Sequence, residues 1–570
     1  MAHLLAAGPG PPSAAATGVV GTPEKNSLHL IQATTYPIHG LFKPDGGCGR
    51  RRSRESGAPP GLRRRARMTH GGPYLSSSKE VLKHSTYLLA ARLFVRLASL
   101  PFMLYMAARL RPELFGTFTF VLVTVEILSS LGDVGLTRYG ARAIIRADMG
   151  KDRLAGIFFS IQVITSVVLM ALAYSVLFIA APDGTKKQLF MIAFLALFFS
   201  SFIYTTETLF TAEKRFGASS VFQVLGKAVY LALGLAALAS GYSVLAVMAA
   251  YITGMAVESV LRMAYMWRRV TQFSGGYTVA EFRDVALGTL PFAVSGVAVL
   301  LYYRADTIIL GLIKSDFEVG IYSAAYSVFT FFFWIPVIVS RTLMPGLIER
   351  YKQNPRESLR SSVNWFSHMT LLGVAIAFSV TVMARTFIDM LLPEGQYEES
   401  ILVLQILIWS IPVLMMVSVT LNTLIMAGQE RVGASITVIT TVAIIVLDLA
   451  LIPAYGVNGA AVAMAAATAL WAGQLVWFAR RSAWMELGSL TSLLAAPLTA
   501  AVAVTAVGLT LYRVNAFLAL AAGLAACGLV AMADYRSREP ALPERPAPVR
   551  PSDDYPAAET VAGQDDGEPQ

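Results

Sequence analysis

Three arginines stand inside long apolar runs of this chain. Arg92 and Arg96 lie four residues apart in the first run, and Arg304 lies in a run that opens the second half. A guanidinium in hydrocarbon costs from about 3 to over 10 kcal/mol. Three of them imply a polar cavity inside a membrane protein, built to receive something negative. Residues four apart on a helix share a face. At 1.5 Å per residue, Arg92 sits about 13 Å past Lys83, and Arg304 about 15 Å before Lys314. Guanidinium offers a planar, two-pronged donor set that suits phosphate oxygens. The alternative for each arginine is an ion pair with a carboxylate on a neighbouring helix.

Other polar residues in apolar runs extend the candidate set. Lys227 falls near the middle of the fifth run, where it either faces the cavity or snorkels toward water. Glu258, in the sixth, is expected to pair with Lys227 or Arg262. Asp306 is two residues from Arg304 and so points away from it, toward another helix or into ion coupling. Asp133 and Arg138, at the inner end of the second run, read as a gate or a helix-end contact. Glu207, Asp448 and His368 read as structural. Tyr302, Tyr303, Tyr326 and Trp334 are candidates for sugar selectivity, or else packing. Pro101, Pro336, Pro345 and Pro412 fall inside spans, where each removes a backbone hydrogen bond and bends its helix.

These residues need a frame, and composition supplies it. Of 570 residues, 55% are hydrophobic and 14% charged, against about 25% charged in soluble domains. Mean hydropathy is +0.58. The fold class is therefore all-α and polytopic in a membrane. Cys48 and Cys527 make neither a disulfide framework nor a metal site. No phosphate-binding Gly-rich loop with Gly-Lys-Ser/Thr is present. No cofactor is called for, and the net charge of +10 is no sign of nucleic-acid binding, because much of it lies in the N-terminal tail and one-sided loops.

About 14 spans are expected, at roughly 85–108, 115–137, 154–180, 187–207, 218–240, 243–266, 285–312, 318–341, 362–385, 401–427, 432–453, 457–479, 487–511 and 514–533. If the N-terminus is cytoplasmic, cytoplasmic loops hold 19 Lys and Arg residues and the opposite loops 7. The positive-inside rule then puts both termini inside. Residues 1–80 read as a disordered basic tail, with Met68 as an alternative start, and 534–570 as a disordered Pro-rich acidic tail. The loops opposite the cytoplasm are too short to fold an external domain.

The chain also repeats. Glu113-Leu114-Phe115-Gly116-Thr117-Phe118 opens the second span and Phe317-Glu318-Val319-Gly320-Ile321-Tyr322 the eighth. Each follows a long span with a buried arginine. The unit is six spans, giving lobes 81–269 and 283–480 plus an extra helix pair at 487–533. Parallel repeats place a substrate site between lobes related by an axis along the membrane normal. Arg304, at the related place in the second lobe, is expected to complete a cationic ring with Arg92 and Arg96.

Several segments resemble a known family. These are Arg92-Leu93-Phe94-Val95-Arg96, Arg109-Leu110-Arg111-Pro112-Glu113-Leu114-Phe115-Gly116, Leu131-Gly132-Asp133-Val134-Gly135-Leu136, Tyr303-Arg304-Ala305-Asp306-Thr307 and Val319-Gly320-Ile321-Tyr322-Ser323. They resemble the polysaccharide transporters, the O-antigen and exopolysaccharide flippases of the MATE-like superfamily. The resemblance covers about 80–480. It implies a MATE-like fold in a bacterial cytoplasmic membrane. It also implies flipping of an undecaprenyl-pyrophosphate-linked oligosaccharide to the outer leaflet for surface polysaccharide, with polysaccharide polymerase machinery as a partner. Outward movement of a pyrophosphate runs with an inside-negative potential, about 2.3 kcal/mol per charge per 100 mV. Two other readings use the same architecture: a flippase for another polyprenyl-linked precursor such as the peptidoglycan lipid, and a cation-drug exporter. The latter needs buried carboxylates where this chain carries cations. A membrane enzyme is disfavoured, since no His/Asp/Glu constellation is present.

Overall fold

The computed structural model describes residues 78–133, 135–146, 150–180, 184–213, 215–271, 273, 275–353, 355–426, 429–481, 496–506 and 516–538, with some helix side chains left out. The tails read from the sequence, 1–77 and 539–570, lie outside the described residues. Among the described residues there is no strand. Lipid explains this: without water, backbone groups must be satisfied within each segment, which a helix does alone.

The helices are α1 (Ser78–Asp133), α2 (Leu136–Arg146), α3 (Lys151–Ala180), α4 (Gly184–Ala193), α5 (Leu195–Ala212), α6 (Phe216–Ala239), α7 (Val244–Arg269) and α8 (Val279–Ile313). They continue with α9 (Asp316–Gln353), α10 (Pro355–Leu391), α11 (Glu399–Ile408), α12 (Ser410–Met426), α13 (Glu430–Arg481), α14 (Ala496–Ala506) and α15 (Ala516–Arg538). Eleven helical runs among the described residues are long and apolar enough to cross a membrane.

Two of these runs hold two spans each. Helix α1 has 56 residues, about 84 Å if straight, against a hydrocarbon core of about 30 Å. It breaks at Arg111, whose φ of 62° and ψ of 158° are not helical. Ser99 and Glu126 line one cavity, although a straight helix would hold them about 40 Å apart. The chain therefore doubles back at Arg111–Pro112. Helix α13 does the same at Gly456 (φ 55°) after Pro453. A Cβ on Gly459 would lie 2.4 Å from the Leu451 carbonyl oxygen, a contact only a hairpin permits. Pro101, expected to bend its span, sits inside α1 with the break ten residues later.

Packing follows the small residues. Helix α6 meets α7 where Gly226 and Gly254 face each other's carbonyls, each within 3 Å of where a Cβ would stand. Ala460, Ala461, Met464 and Ala467 bury one face of α13. The amphipathic α2 buries Leu136 against Leu154, Ile157, Phe158 and Val285. Helix α8 opens with a capping box: Thr278 Oγ accepts from the Glu281 N–H, and the Glu281 carboxylate accepts from the Thr278 N–H. Outward faces stay apolar, as with Ile164, Val168, Leu172 and Ile179 on α3, all exposed in the protein alone. In a membrane that stripe faces lipid.

The last helices dock on α10. Phe378 packs against Gly523, Cys527 donates its S–H toward the Leu371 carbonyl, and Ser367 donates to Asp534 at 3.1 Å. Within the expected final pair at 487–511 and 514–533, the described residues form a short apolar helix at Ala496–Ala506 and α15.

Candidate substrate cavity

A cavity of about 260 Å³ lies between the two halves of α1, α6, α7, α8 and α9. Its lining follows the sequence repeat. Leu100 and Arg304, Met103 and Thr307, Thr119 and Ser323, Leu122 and Tyr326, Val123 and Ser327, and Glu126 and Thr330 all line it. Each pair is separated by 204 residues, the offset that also relates Gly116 to Gly320. The cavity is thus lined by equivalent positions of the two repeats. Beside the Arg111 break, the two repeats meet backbone to backbone. A Cβ on Gly116 would lie 1.8 Å from the Asp316 oxygen, and one on Gly320 would lie 2.0 Å from the Pro112 oxygen. The same end is tied by Lys186–Asp316 at 2.6 Å, by Thr117 Oγ1 donating to Asp316 at 2.9 Å, and by the Tyr397 hydroxyl donating to the Ala107 carbonyl at 2.8 Å.

The symmetry of positions is not a symmetry of charge. Arg304 takes the place of Leu100, one helical turn on from Arg96. In the sequence repeat, Arg304 is therefore offset by one turn from Arg96; the expected ring of Arg92, Arg96 and Arg304 involves side chains outside the described residues. Arg304 Nη2 pairs with Glu126 Oε2 at 3.1 Å, and its guanidinium carbon lies 5.4 Å from the Tyr326 ring centre. Tyr326 is itself fixed, since its hydroxyl donates to the Tyr303 carbonyl at 2.6 Å. Lys227 also lines the cavity, its Nζ 4.5 Å from the Tyr230 ring. The side chains of Arg92, Arg96 and Arg138 lie outside the described residues.

Hydroxyls complete the wall. Ser327 and Thr330 donate back to their own helix at 2.7 Å. Ser323 Oγ, in a residue only 4% exposed, has no partner among the described residues. Buried polar atoms are nearly always satisfied, so this hydroxyl is a candidate ligand contact. Of the expected sugar-selective aromatics, Tyr326 and Trp334 line the cavity. Tyr302 instead shares a hydrogen bond with Thr468, and Tyr303 serves through its carbonyl.

The remaining candidates lie off the cavity lining. Asp306 is fully buried and serves α9, accepting from the Tyr322 hydroxyl and, at 2.5 Å, from the Thr307 N–H. Both carboxylate oxygens of Asp448 are buried without a hydrogen-bond partner among the described residues. Glu258 pairs with Arg262 at 2.9 Å. Asp133 joins α1 to α2: it accepts from the Thr137 hydroxyl at 2.7 Å and from Gln162 at 3.2 Å.

Two residues central to this arrangement escaped the sequence reading as sites. Glu126 is the one charged residue between Glu113 and Asp133, which was its available signal. Arg262 was read only as a loop charge and a partner for Glu258. It is 2% exposed and holds Glu207 at 2.7 Å as well as Glu258, with the Ser219 carbonyl at 3.3 Å.

Comparison with known proteins agrees with this architecture. Residues 81–349 match the family described as polysaccharide biosynthesis protein, and 291–450 match MatE. No curated protein matches the chain in sequence. Among solved structures, a lipid II flippase, MurJ, in an inward closed conformation is 14% identical with a TM-score of 0.65, covering 79% of this chain and 99% of that one. An inward-facing multidrug-resistance MATE transporter is 16% identical with a TM-score of 0.56, covering 69% and 98%. A MOP-superfamily transporter from Pyrococcus furiosus Vc1, described as having a binding pocket of reverse polarity, is 14% identical with a TM-score of 0.51, covering 72% and 96%. The likenesses to solved structures establish the shared fold. This chain is a polytopic all-α membrane protein with a MATE-like fold, and overlapping parts of it match the polysaccharide biosynthesis and MatE family models.

Proposed function

We propose that this protein flips an undecaprenyl-pyrophosphate-linked oligosaccharide from the cytoplasmic to the outer leaflet, for surface polysaccharide synthesis. The observation that carries the reading is the cavity lined by equivalent positions of the two repeats. It presents Arg304 and Lys227 against one carboxylate, Glu126, with the unpartnered hydroxyl of Ser323 beside them. Such a site suits a phosphate. Arg92 and Arg96, whose side chains lie outside the described residues, are proposed to contribute to headgroup binding as well.

In this reading the lobes are 81–269 and 283–480, both termini are cytoplasmic, and the membrane is the bacterial cytoplasmic membrane. The Gly116–Gly320 end is then the outer side, and it is closed. A volume of about 260 Å³ is below the roughly 300–1,000 Å³ of drug-sized ligand pockets. The oligosaccharide therefore needs a more open state than this one. Polysaccharide polymerase machinery is the proposed acceptor of the product.

A second reading is favoured by one observation: the likeness to a lipid II flippase covers 99% of that chain. The cargo would then be the peptidoglycan lipid, whose pyrophosphate the same cations would hold. Export of cationic drugs, as in the MATE relatives, is disfavoured because cations outnumber the carboxylate in the cavity lining.

Complementation tests these readings. The chain, started at Met1 or Met68, is expressed in a host lacking its surface-polysaccharide flippase, and in one lacking its peptidoglycan-lipid flippase. Restored surface polysaccharide supports the first reading, and rescue of the second host alone supports the other. Rescue of neither, at normal membrane levels, overturns both.

A further inference from the structure

The helices hold two kinds of ion pair, and their difference is informative. Arg262 is 2% exposed and is held by two carboxylates and a carbonyl. That is a fixed structural cluster. Arg304 is different. Among the described residues it makes a single 3.1 Å ion pair, to Glu126, whose side chain is 45% exposed against 24% for the arginine. Both side chains line the cavity, so a ligand entering it reaches the pair directly. The guanidinium does not depend on Glu126 for its place, because the Tyr326 ring supports it and Tyr326 is anchored to Tyr303. The neighbouring Asp306 is committed to Tyr322 and Thr307. Glu126 is thus the group of this cavity that can leave Arg304 without dismantling anything.

We propose that Glu126 is an exchangeable counter-anion. It pairs with Arg304 between transport cycles, yields it to a phosphate oxygen of the cargo, and takes it back as the cargo leaves. This inference rests on the phosphate-carrier reading above. An unpaired guanidinium in this low-dielectric site is costly, and a resident carboxylate keeps it paired when the cavity is empty. The pair also ties the first repeat to the second, since Glu126 is on α1 and Arg304 on α8. Cargo binding cuts that tie, so the exchange couples occupancy to the parting of the halves. A ligand shifts a conformational equilibrium only by binding the two states differently, and the broken tie supplies such a difference. The exchange lowers affinity as well, since a site partly occupied by its own carboxylate binds more weakly by the fraction that is competent.

The test uses the full chain, purified and reconstituted, with undecaprenyl pyrophosphate and inorganic pyrophosphate as separate probes. Equilibrium binding is measured for wild type, E126Q, R304Q and the double variant, with thermal unfolding as a check on folding. Exchange predicts that E126Q binds undecaprenyl pyrophosphate more tightly, by roughly the 5- to 150-fold of typical site coupling, while flipping it more slowly in proteoliposomes. The double variant should bind no better than R304Q. Tightening for the lipid alone marks a headgroup site, and tightening for both probes marks a general pyrophosphate site. Binding by E126Q that is unchanged or weaker, in a protein of normal Tm, overturns the inference, for Glu126 would then merely position Arg304. If E126Q does not fold, E126D replaces it: altered affinity in the direction of weaker pairing supports exchange, and unchanged affinity overturns it. If R304Q binds as wild type does, the phosphate site itself is wrong and the failure lies with the underlying reading.

Discussion

Gly116 and Gly320 make the same contact from opposite halves of the chain. Each presents its missing side chain to a backbone oxygen of the other half, that of Asp316 for Gly116 and that of Pro112 for Gly320. Because 116 and 320, and 112 and 316, differ by one offset, the two contacts are images of each other. A methyl group would sit 1.8 Å or 2.0 Å from a carbonyl oxygen, far inside van der Waals contact. Only glycine lets the halves close here.

Alanine at either position should therefore prop this end open. Overpacking of a tight contact costs about 1–3 kcal/mol, enough to redistribute a two-state transporter. Under the proposed topology this end faces outward. Gly116→Ala and Gly320→Ala should each speed labelling of a cysteine at Ser323 by a membrane-impermeant thiol reagent added outside. Labelling at the wild-type rate, with normal membrane levels, would show that the closed contact tolerates the methyl.

Arg262 gives a contrasting prediction. Removing one partner of a buried ion cluster strands the other charges, at about 3–5 kcal/mol. Arg262→Ala leaves Glu207 and Glu258 facing each other in the protein interior. It should lower Tm and membrane abundance sharply, whereas Arg262→Lys keeps the charge and loses less. Arg304→Ala should show the reverse pattern, with export falling while abundance and Tm stay near wild type. Equal loss of abundance in the two alanine variants would refute the distinction drawn between a structural and an exchangeable pair.

Much of this was legible in the sequence, for a physical reason. Lipid forces each span to be a long apolar helix, so most of the span boundaries read from composition fall on helices in the structure. The Gly116 and Gly320 segments announced the repeat. What the sequence could not show is which helices touch. Asp306 was expected to point away from Arg304 toward another helix, but only the fold shows that its partner there is Tyr322, 16 residues on, beside its own neighbour Thr307. Glu126 is 178 residues from Arg304, and only the fold brings them together. Likewise Arg304 seemed to match the arginines of the first half, and alignment through the two glycines pairs it with Leu100.

Asp448 gives a prediction about stability. Its two carboxylate oxygens are buried with no hydrogen-bond partner among the described residues, and burial of such a group is costly. Asp448→Asn removes the ionisable group at nearly constant shape. It should leave Tm unchanged or raise it, while Asp306→Asn, which weakens the acceptor for Tyr322 and Thr307, should lower Tm. Thermal unfolding of the two variants side by side decides this, and a larger loss for Asp448→Asn would mean that its carboxylate is satisfied in the membrane.

The docking of α15 on α10 makes the last prediction. A Cβ on Gly523 would stand 2.0 Å from the Phe378 ring, and that ring belongs to the small core shared by α10, α14 and α15. Gly523→Ala should destabilise this contact by about 1–3 kcal/mol, the usual cost of overpacking. The clash is with a side chain rather than with backbone, so it is removable. Phe378→Leu should recover part of the loss in the double variant, although alone it leaves a cavity and is itself destabilising. Residues in contact depart from additivity by about 0.5–3 kcal/mol. A double-mutant cycle on Tm should therefore give a favourable coupling between positions 378 and 523. Strict additivity would mean that α15 does not rest on Phe378 in the membrane.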